Sequence, residues 1–318
     1  MTARRQWRNA RRREVPVIPK EVDLPDFPLV DTHVHLYDPA AVRYPWMAEM
    51  PALNSRHGSA EFTAAIGGIA VDKLVFVEVD AAPAENFAEL AWVADAADSD
   101  GRIQATVASI ALERGKAVES EIAAYASMPL ARNVRRLIQR HVGEPGWCLR
   151  PDFLEGIRLL GVHGLGFEIC IFHPQMHDAI ELVSRFPEIS FVLDHLGKPG
   201  IREGLREPWR SQIRELASYP NVVVKISGAV TEADHAAWTY DQVAPYVAHA
   251  IDCFGFDRAM FGGDWPVMEL ATRYADWVAL VDRVTAGAAA GDLRKLFRDT
   301  AIRAYRLPEG VTNQLGGA

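Results

Sequence analysis

Cysteine is scarce in this chain. Cys148, Cys170 and Cys253 are scattered through 318 residues with no C-x-x-C pair. That excludes a zinc-finger framework, and the odd count argues against a disulfide scaffold. Such usage is expected of a cytoplasmic protein with packed, reduced thiols. No uninterrupted apolar stretch approaches the roughly 18 residues that cross a bilayer, so no membrane partner is expected. Positive charge is in deficit. With 34 Lys and Arg against 42 Asp and Glu the net charge is −8, which disfavours nucleic acid as a partner. The first apolar run is not followed by a G-x-G-x-x-G turn, the usual mark of a dinucleotide-binding open sheet.

The one local excess of positive charge lies at the start. Arg4, Arg5, Arg8, Arg11, Arg12 and Arg13 stand among the first 13 residues with no acid between them. No apolar segment follows, so the stretch does not read as a secretory signal. Residues 1–26 are expected to form a basic, mobile arm, either a solvated tail or a strap between subunits. Residues 27–307 read as one domain and 308–318 as a C-terminal tail. A homodimer is the default assembly for such an enzyme-sized chain.

From residue 27 short apolar runs alternate with longer amphipathic segments. Strands are predicted at Leu29–His33, Lys73–Val79, Ile103–Ser109, Val134–Ile138, Gly166–Phe172, Ser190–Asp194, Val222–Ile226 and Ala259–Gly262. Helices are predicted at Ala84–Asp98, Leu112–Ala126, Asp152–Leu160, Met176–Phe186, Trp209–Ser218, Asp241–Phe254 and Tyr274–Thr285. Nearly continuous apolar strands separated by helices imply a parallel sheet buried on both faces. Eight such units predict an α/β fold of the (β/α)8 TIM-barrel type. The segment from Leu36 to Phe62 reads as a long loop above the first strand, over the active face.

A barrel gathers its chemistry at the carboxyl ends of the strands. Those positions hold His33 and His35, Glu78 and Asp80, Arg135, Arg136 and Gln139, His173, Asp194 and His195, Lys225 and Ser227, and Asp264. Four of the ten histidines are among them. His33 and His35 alternate on one strand, so they point the same way about 6–7 Å apart at Cα. Two such imidazoles are half of a divalent metal site, a grip on substrate, or plain hydrogen-bonded histidines. Asp264 is suited to act as general base, and His195 to polarise a carbonyl or orient water.

Three segments carry a resemblance. Val30-Asp31-Thr32-His33-Val34-His35, Val192-Leu193-Asp194-His195-Leu196-Gly197-Lys198-Pro199 and Met260-Phe261-Gly262-Gly263-Asp264-Trp265-Pro266 resemble the markers of the amidohydrolase superfamily. The closest likeness is to its lactone hydrolases, the sugar lactonases (L-fuconolactonase- and L-rhamnonolactonase-like) and 2-pyrone-4,6-dicarboxylate hydrolase. Arg43-Tyr44-Pro45-Trp46 and Val224-Lys225-Ile226-Ser227-Gly228 also resemble this branch. The likeness runs from about Asp31 to about Ala304. It implies that His33, His35, His195 and Asp264 are catalytic and that His33, His35 and Asp264 are the ligands of any metal. Many metal-rich members carry a carbamylated lysine on the fourth strand that bridges two metals. Here that segment holds Arg135 and Arg136, which stay protonated and cannot form the bridge. One divalent metal, zinc first, or none is therefore implied.

The implied activity is the opening of a lactone, from a sugar or a related carboxylated compound, to its hydroxy acid. The rivals are a metal-dependent non-oxidative decarboxylase and a non-catalytic ligand-binding barrel. Glu78, Arg136, Gln139, His173, Lys225, Trp46 and Trp265 are candidates to bind the small-molecule substrate. Each has a plainer alternative. Glu78 is suited to pair with Lys225, Arg136 or Arg135 to a structural ion pair, His173 to a helix start before Pro174, and Trp265 to the core. Lys198 is expected to pair with Asp194, and Trp238 with Tyr240 to form a lid. His57, His141, His163, His177 and His249 read as surface or structural residues.

Overall fold

A computed structural model describes residues 25–310. The basic arm lies outside them up to residue 24, as does the tail beyond residue 310. The eight strands are β1 (Leu29–Val34), β2 (Val71–Val77), β3 (Ile103–Ser109), β4 (Ala131–Leu137), β5 (Gly166–Cys170), β6 (Phe191–Leu193), β7 (Val222–Ile226) and β8 (Ala259–Phe261). They pair in chain order, every ladder parallel. Eight helices follow them in turn: α1 (Ser59–Ile66), α2 (Asn86–Ser99), α3 (Glu119–Ala126), α4 (Pro151–Val162), α5 (Met176–Arg185), α6 (Trp209–Leu216), α7 (Tyr240–Phe254) and α8 (Tyr274–Val284). The protein is a (β/α)8 barrel. No helix among the described residues is long and apolar enough to cross a membrane.

The barrel closes between β1 and β8 just beyond their regular ends. The Asp264 N–H donates to the His33 carbonyl and the His35 N–H to the Trp265 carbonyl, both at 2.8 Å. Strand parity then divides the side chains. Leu74, Phe76, Val134, Phe167, Ile169, Leu193, Val224 and Phe261 belong to the large core between sheet and helices. Val75, Val77, Ala105, Val107, Val192 and Met260 form a separate apolar layer together with Tyr305. Arg135 shares a face with Asn133, whereas Arg136 alternates to the other.

The helices follow from their patterns. In α5 the buried residues Met176, Ala179, Ile180 and Val183 fall on one stripe. At the start of α7 the Thr239 N–H donates to Gln242 Oε1 at 2.9 Å, and Gly255 ends the helix at φ 69°.

Two expectations are corrected. The Leu36–Phe62 segment is not a bare loop: it holds 3-10 turns at Pro45–Glu49 and Pro51–Leu53 and the start of α1. Its neck is clamped by Tyr37 and His57, which exchange two backbone hydrogen bonds of 2.8 Å. Its own Val42, Tyr44, Met47 and Leu53 are buried. Leu112–Ala126 is not one helix either, because Gly115 at φ 59° breaks it before α3.

Glu89 of α2 props this region from below. It is buried, accepts the Val79 N–H at 3.0 Å, and is pushed up to about 8 by burial and by nearby Glu78. The folded chain therefore keeps a proton that the unfolded chain releases above its ordinary carboxylate range. The resulting stabilisation is complete below pH 4.5 and fades as pH rises through about 8. Glu89→Gln, which carries no charge to bury, is expected to melt with wild type at pH 5 and a few degrees above it at pH 9. Melting curves at both pH values check this, and a gap that does not widen with pH would show Glu89 ionised in the fold.

Candidate active site

Strands β1, β6 and β8 bring four predicted side chains to one point. Asp264 Oδ1 lies 3.5 Å from His35 Nε2, 3.7 Å from His33 Nε2 and 3.9 Å from His195 Nε2. All four residues are buried. The His33 ring stands 4.9 Å from that of His35 and 4.3 Å from that of His195. His35 Nδ1 donates to the Val77 carbonyl at 2.9 Å, which turns Nε2 toward the carboxylate. His195 Nδ1 is held by Ser227 Oγ at 2.9 Å. Burial holds His33 and His195 well below the ordinary histidine range, helped by Lys225 at His33 and by His33 at His195. Both rings are neutral at physiological pH.

This convergence requires unusual backbone. His195, Leu196, Gly197 and Lys198 are four consecutive residues at φ between 48° and 69°, and Asp264 stands at φ 60°. Left-handed non-glycine residues cost of order 1–3 kcal/mol each and gather at functional sites. Gly228 (φ 59°) lies beneath His195, where a Cβ would meet Nδ1 at 2.5 Å. Asp31 fastens the β1–β8 seam. It accepts N–H bonds from Gly263 at 2.7 Å and His33 at 3.0 Å, and the Tyr274 hydroxyl at 2.8 Å.

Beneath the cluster lies a layer of buried charge. Lys225 donates to Glu168 Oε2 at 2.5 Å and lies 3.1 Å from Asp194 Oδ1 and 3.2 Å from His33 Nδ1. Arg135 donates to Glu78 Oε1 at 2.6 Å and to its carbonyl at 2.7 Å, and its Nη1 is 3.3 Å from His33 Nε2. Lys225 and Arg135 outweigh the burial of Asp194 and hold its carboxyl below the ordinary range.

The binding candidates fare differently. Arg136 turns to the outer face and pairs with Glu113, so Arg135 is the arginine at the site. Glu78 pairs with Arg135 and not with Lys225. Lys225 is fully buried under His33, beyond the reach of a substrate. Lys198 donates to Gln139 at 2.6 Å and not to Asp194. Trp265 is core, its indole on Glu269 and its ring edge-on to Phe62. Trp46 stays half-buried above β2, its indole donating to the Val79 carbonyl at 2.8 Å. His173 opens the turn before Pro174, outside the quartet. Trp238 is buried with its indole on Ala271, and Tyr240 carries Arg283 over its ring at 3.8 Å, which ties both down. Glu168, Asp31 and Tyr305 escaped sequence reasoning. Glu168 had one visible mark, a charge inside an apolar strand run.

The donors suit one divalent cation. His33, His195 and Asp264 each bring a ligand atom within 4.8 Å of the others. Protein partners occupy Nδ1 of His35 and His195, which leaves Nε2 toward Asp264 as metal-binding imidazoles require. Arg135 competes for His33 Nε2. A second set, His33, Glu168 and Asp194, surrounds the Lys225 ammonium, which already supplies the positive charge there.

An eight-stranded barrel with histidines on β1, a histidine after β6 and an aspartate after β8 defines a class, and residues 30–307 match the amidohydrolase family. The chain belongs to that family and is an enzyme of it. It is 31% identical over 300 residues to an L-fucono-1,5-lactonase of Burkholderia multivorans, covering 90% of this chain and 98% of that one. It is 29% identical over 301 residues to the uncharacterized protein y4mH of Sinorhizobium fredii, covering 89% and 99%. The solved structure of an amidohydrolase from Burkholderia multivorans with bound zinc superposes with a TM-score of 0.77 at 29% identity, covering 89% of this chain and all of that one.

Proposed function

We propose that the protein hydrolyses lactones, with Asp264 as general base. The observation that carries this reading is the approach of three imidazole nitrogens to within 3.5–3.9 Å of one Asp264 oxygen. Asp264 takes a proton from water as the oxygen attacks the lactone carbonyl. The bond to the ring oxygen then breaks, and the departing alkoxide takes up the proton, giving a hydroxy acid. Neutral His33 and His195 hydrogen-bond and orient without adding positive charge. A divalent metal, with zinc favoured by the Burkholderia multivorans structure, would be held by His33, His195 and Asp264, with His35 beside Asp264, and would supply Lewis-acid polarisation.

The charge around the mouth favours a neutral, hydroxylated ring. Arg140 is paired with Asp80, while Lys198 donates to the neutral Gln139 amide and keeps its charge. Half-buried Glu232 follows β7 near Asp264, and burial pushes it up to about 7 with Lys198 opposing. A dicarboxylated substrate would have to break an ion pair to find a second cation beside Lys198, whereas hydroxyls can use Lys198, Gln139 and Glu232 as they stand. This supports a sugar lactone, as the name of the fuconolactonase relative also does.

A lactone panel followed by proton release with a pH indicator, with and without chelator, tests the proposal. Sugar lactones are expected to be opened, and faster than a pyrone dicarboxylate. Carbon dioxide release from an aromatic acid, without proton release from any lactone, would assign the site to decarboxylation.

A further inference from the structure

We infer that Tyr305, from the C-terminal segment, is a positioning residue for His33, acting through Glu168 and Lys225. This rests on the reading of His33 as part of the active site. Tyr305 follows the last helical turn (Thr300–Ala304) and enters the apolar layer inside the barrel with Val30, Val75, Val107 and Met260. It is fully buried, and its hydroxyl donates to Glu168 Oε1 at 2.5 Å. Asn133 donates to the same oxygen at 3.0 Å. The other Glu168 oxygen takes the Lys225 ammonium at 2.5 Å, and that ammonium sits 3.2 Å from His33 Nδ1. The Tyr305 ring also lies under the ammonium, 5.6 Å from its centroid.

Each link has a fixed partner on both sides. A lysine side chain has long, soft torsions and would not by itself hold a charge at one place. Glu168, clamped by Tyr305 and Asn133, gives Lys225 a fixed target. Lys225 then fixes the Nδ1 side of His33. The ring that faces Asp264 is thus aimed from the far end of the chain.

Tyr305→Phe keeps the ring and removes only the hydroxyl. It is expected to lower kcat on an accepted sugar lactone by about 10- to 100-fold, the cost of a small misplacement, with KM unchanged. The imidazole nitrogen resonances of His33, assigned by their loss in His33→Asn, are expected to shift in Tyr305→Phe. Glu168→Gln is expected to move the same resonances and serves if Tyr305→Phe folds poorly. Unchanged kcat, or a His33 signal that stays in place in both variants, overturns the inference whatever happens to Tm. If wild type opens no lactone, the proposed activity fails, and the nuclear magnetic resonance arm still decides this inference.

Discussion

Asp264→Asn is expected to lower kcat about 10²- to 10⁴-fold, the range lost with a general base, while KM stays near wild type. The fold is expected to survive. The backbone N–H of residue 264 still donates to the His33 carbonyl, and asparagine tolerates the left-handed conformation at φ 60° as aspartate does. The new amide can also hydrogen-bond His35 Nε2, 3.5 Å from the native carboxylate oxygen. Tm should therefore hold steady or rise as activity disappears, the trade-off of a residue kept for chemistry. Kinetics and melting on one preparation check both halves. Near-normal turnover would remove Asp264 from the role of base.

The largest loss of stability is expected from Lys225→Met. Methionine fills the space but leaves Glu168 buried without its cation and Asp194 with Arg135 alone, 3.5 Å away. Breaking a buried pair costs about 3–5 kcal/mol, or roughly 6–20 °C in Tm for a domain of this size. Adding Glu168→Gln removes the stranded charge, so the double variant should lose less than the sum of the singles. A Tm within a degree or two of wild type would mean that water or another cation replaces the ammonium.

Much of this was legible in the chain. All eight strands fall at the predicted runs, because a strand buried on both faces is apolar along most of its length. The convergence of the quartet was legible because polar residues interrupt those runs at their carboxyl ends. Parity decided what residue types left open: Arg135 and Arg136 are chemically alike, and only the register of β4 sends one inward. The partners of Glu78, Lys198 and Lys225 were misjudged, since which charge lies opposite which depends on the stagger between strands. Asp31 and Tyr305 were hidden for another reason. Their contacts span 232 residues to Gly263 and 137 to Glu168, beyond any local pattern.

The seam between β1 and β8 also bears on how the enzyme comes into being. Its two backbone bonds are made by His33, His35, Asp264 and Trp265, so three of the four residues proposed to do the chemistry also join the first strand to the last. Contacts so distant in sequence carry the heaviest loop-closure entropy and are rewarded only after the intervening units are in place. A nascent or partly unfolded chain, however much barrel it has built, thus lacks the arrangement proposed to catalyse. Recovery of turnover during refolding becomes a clock for the closing of the ring.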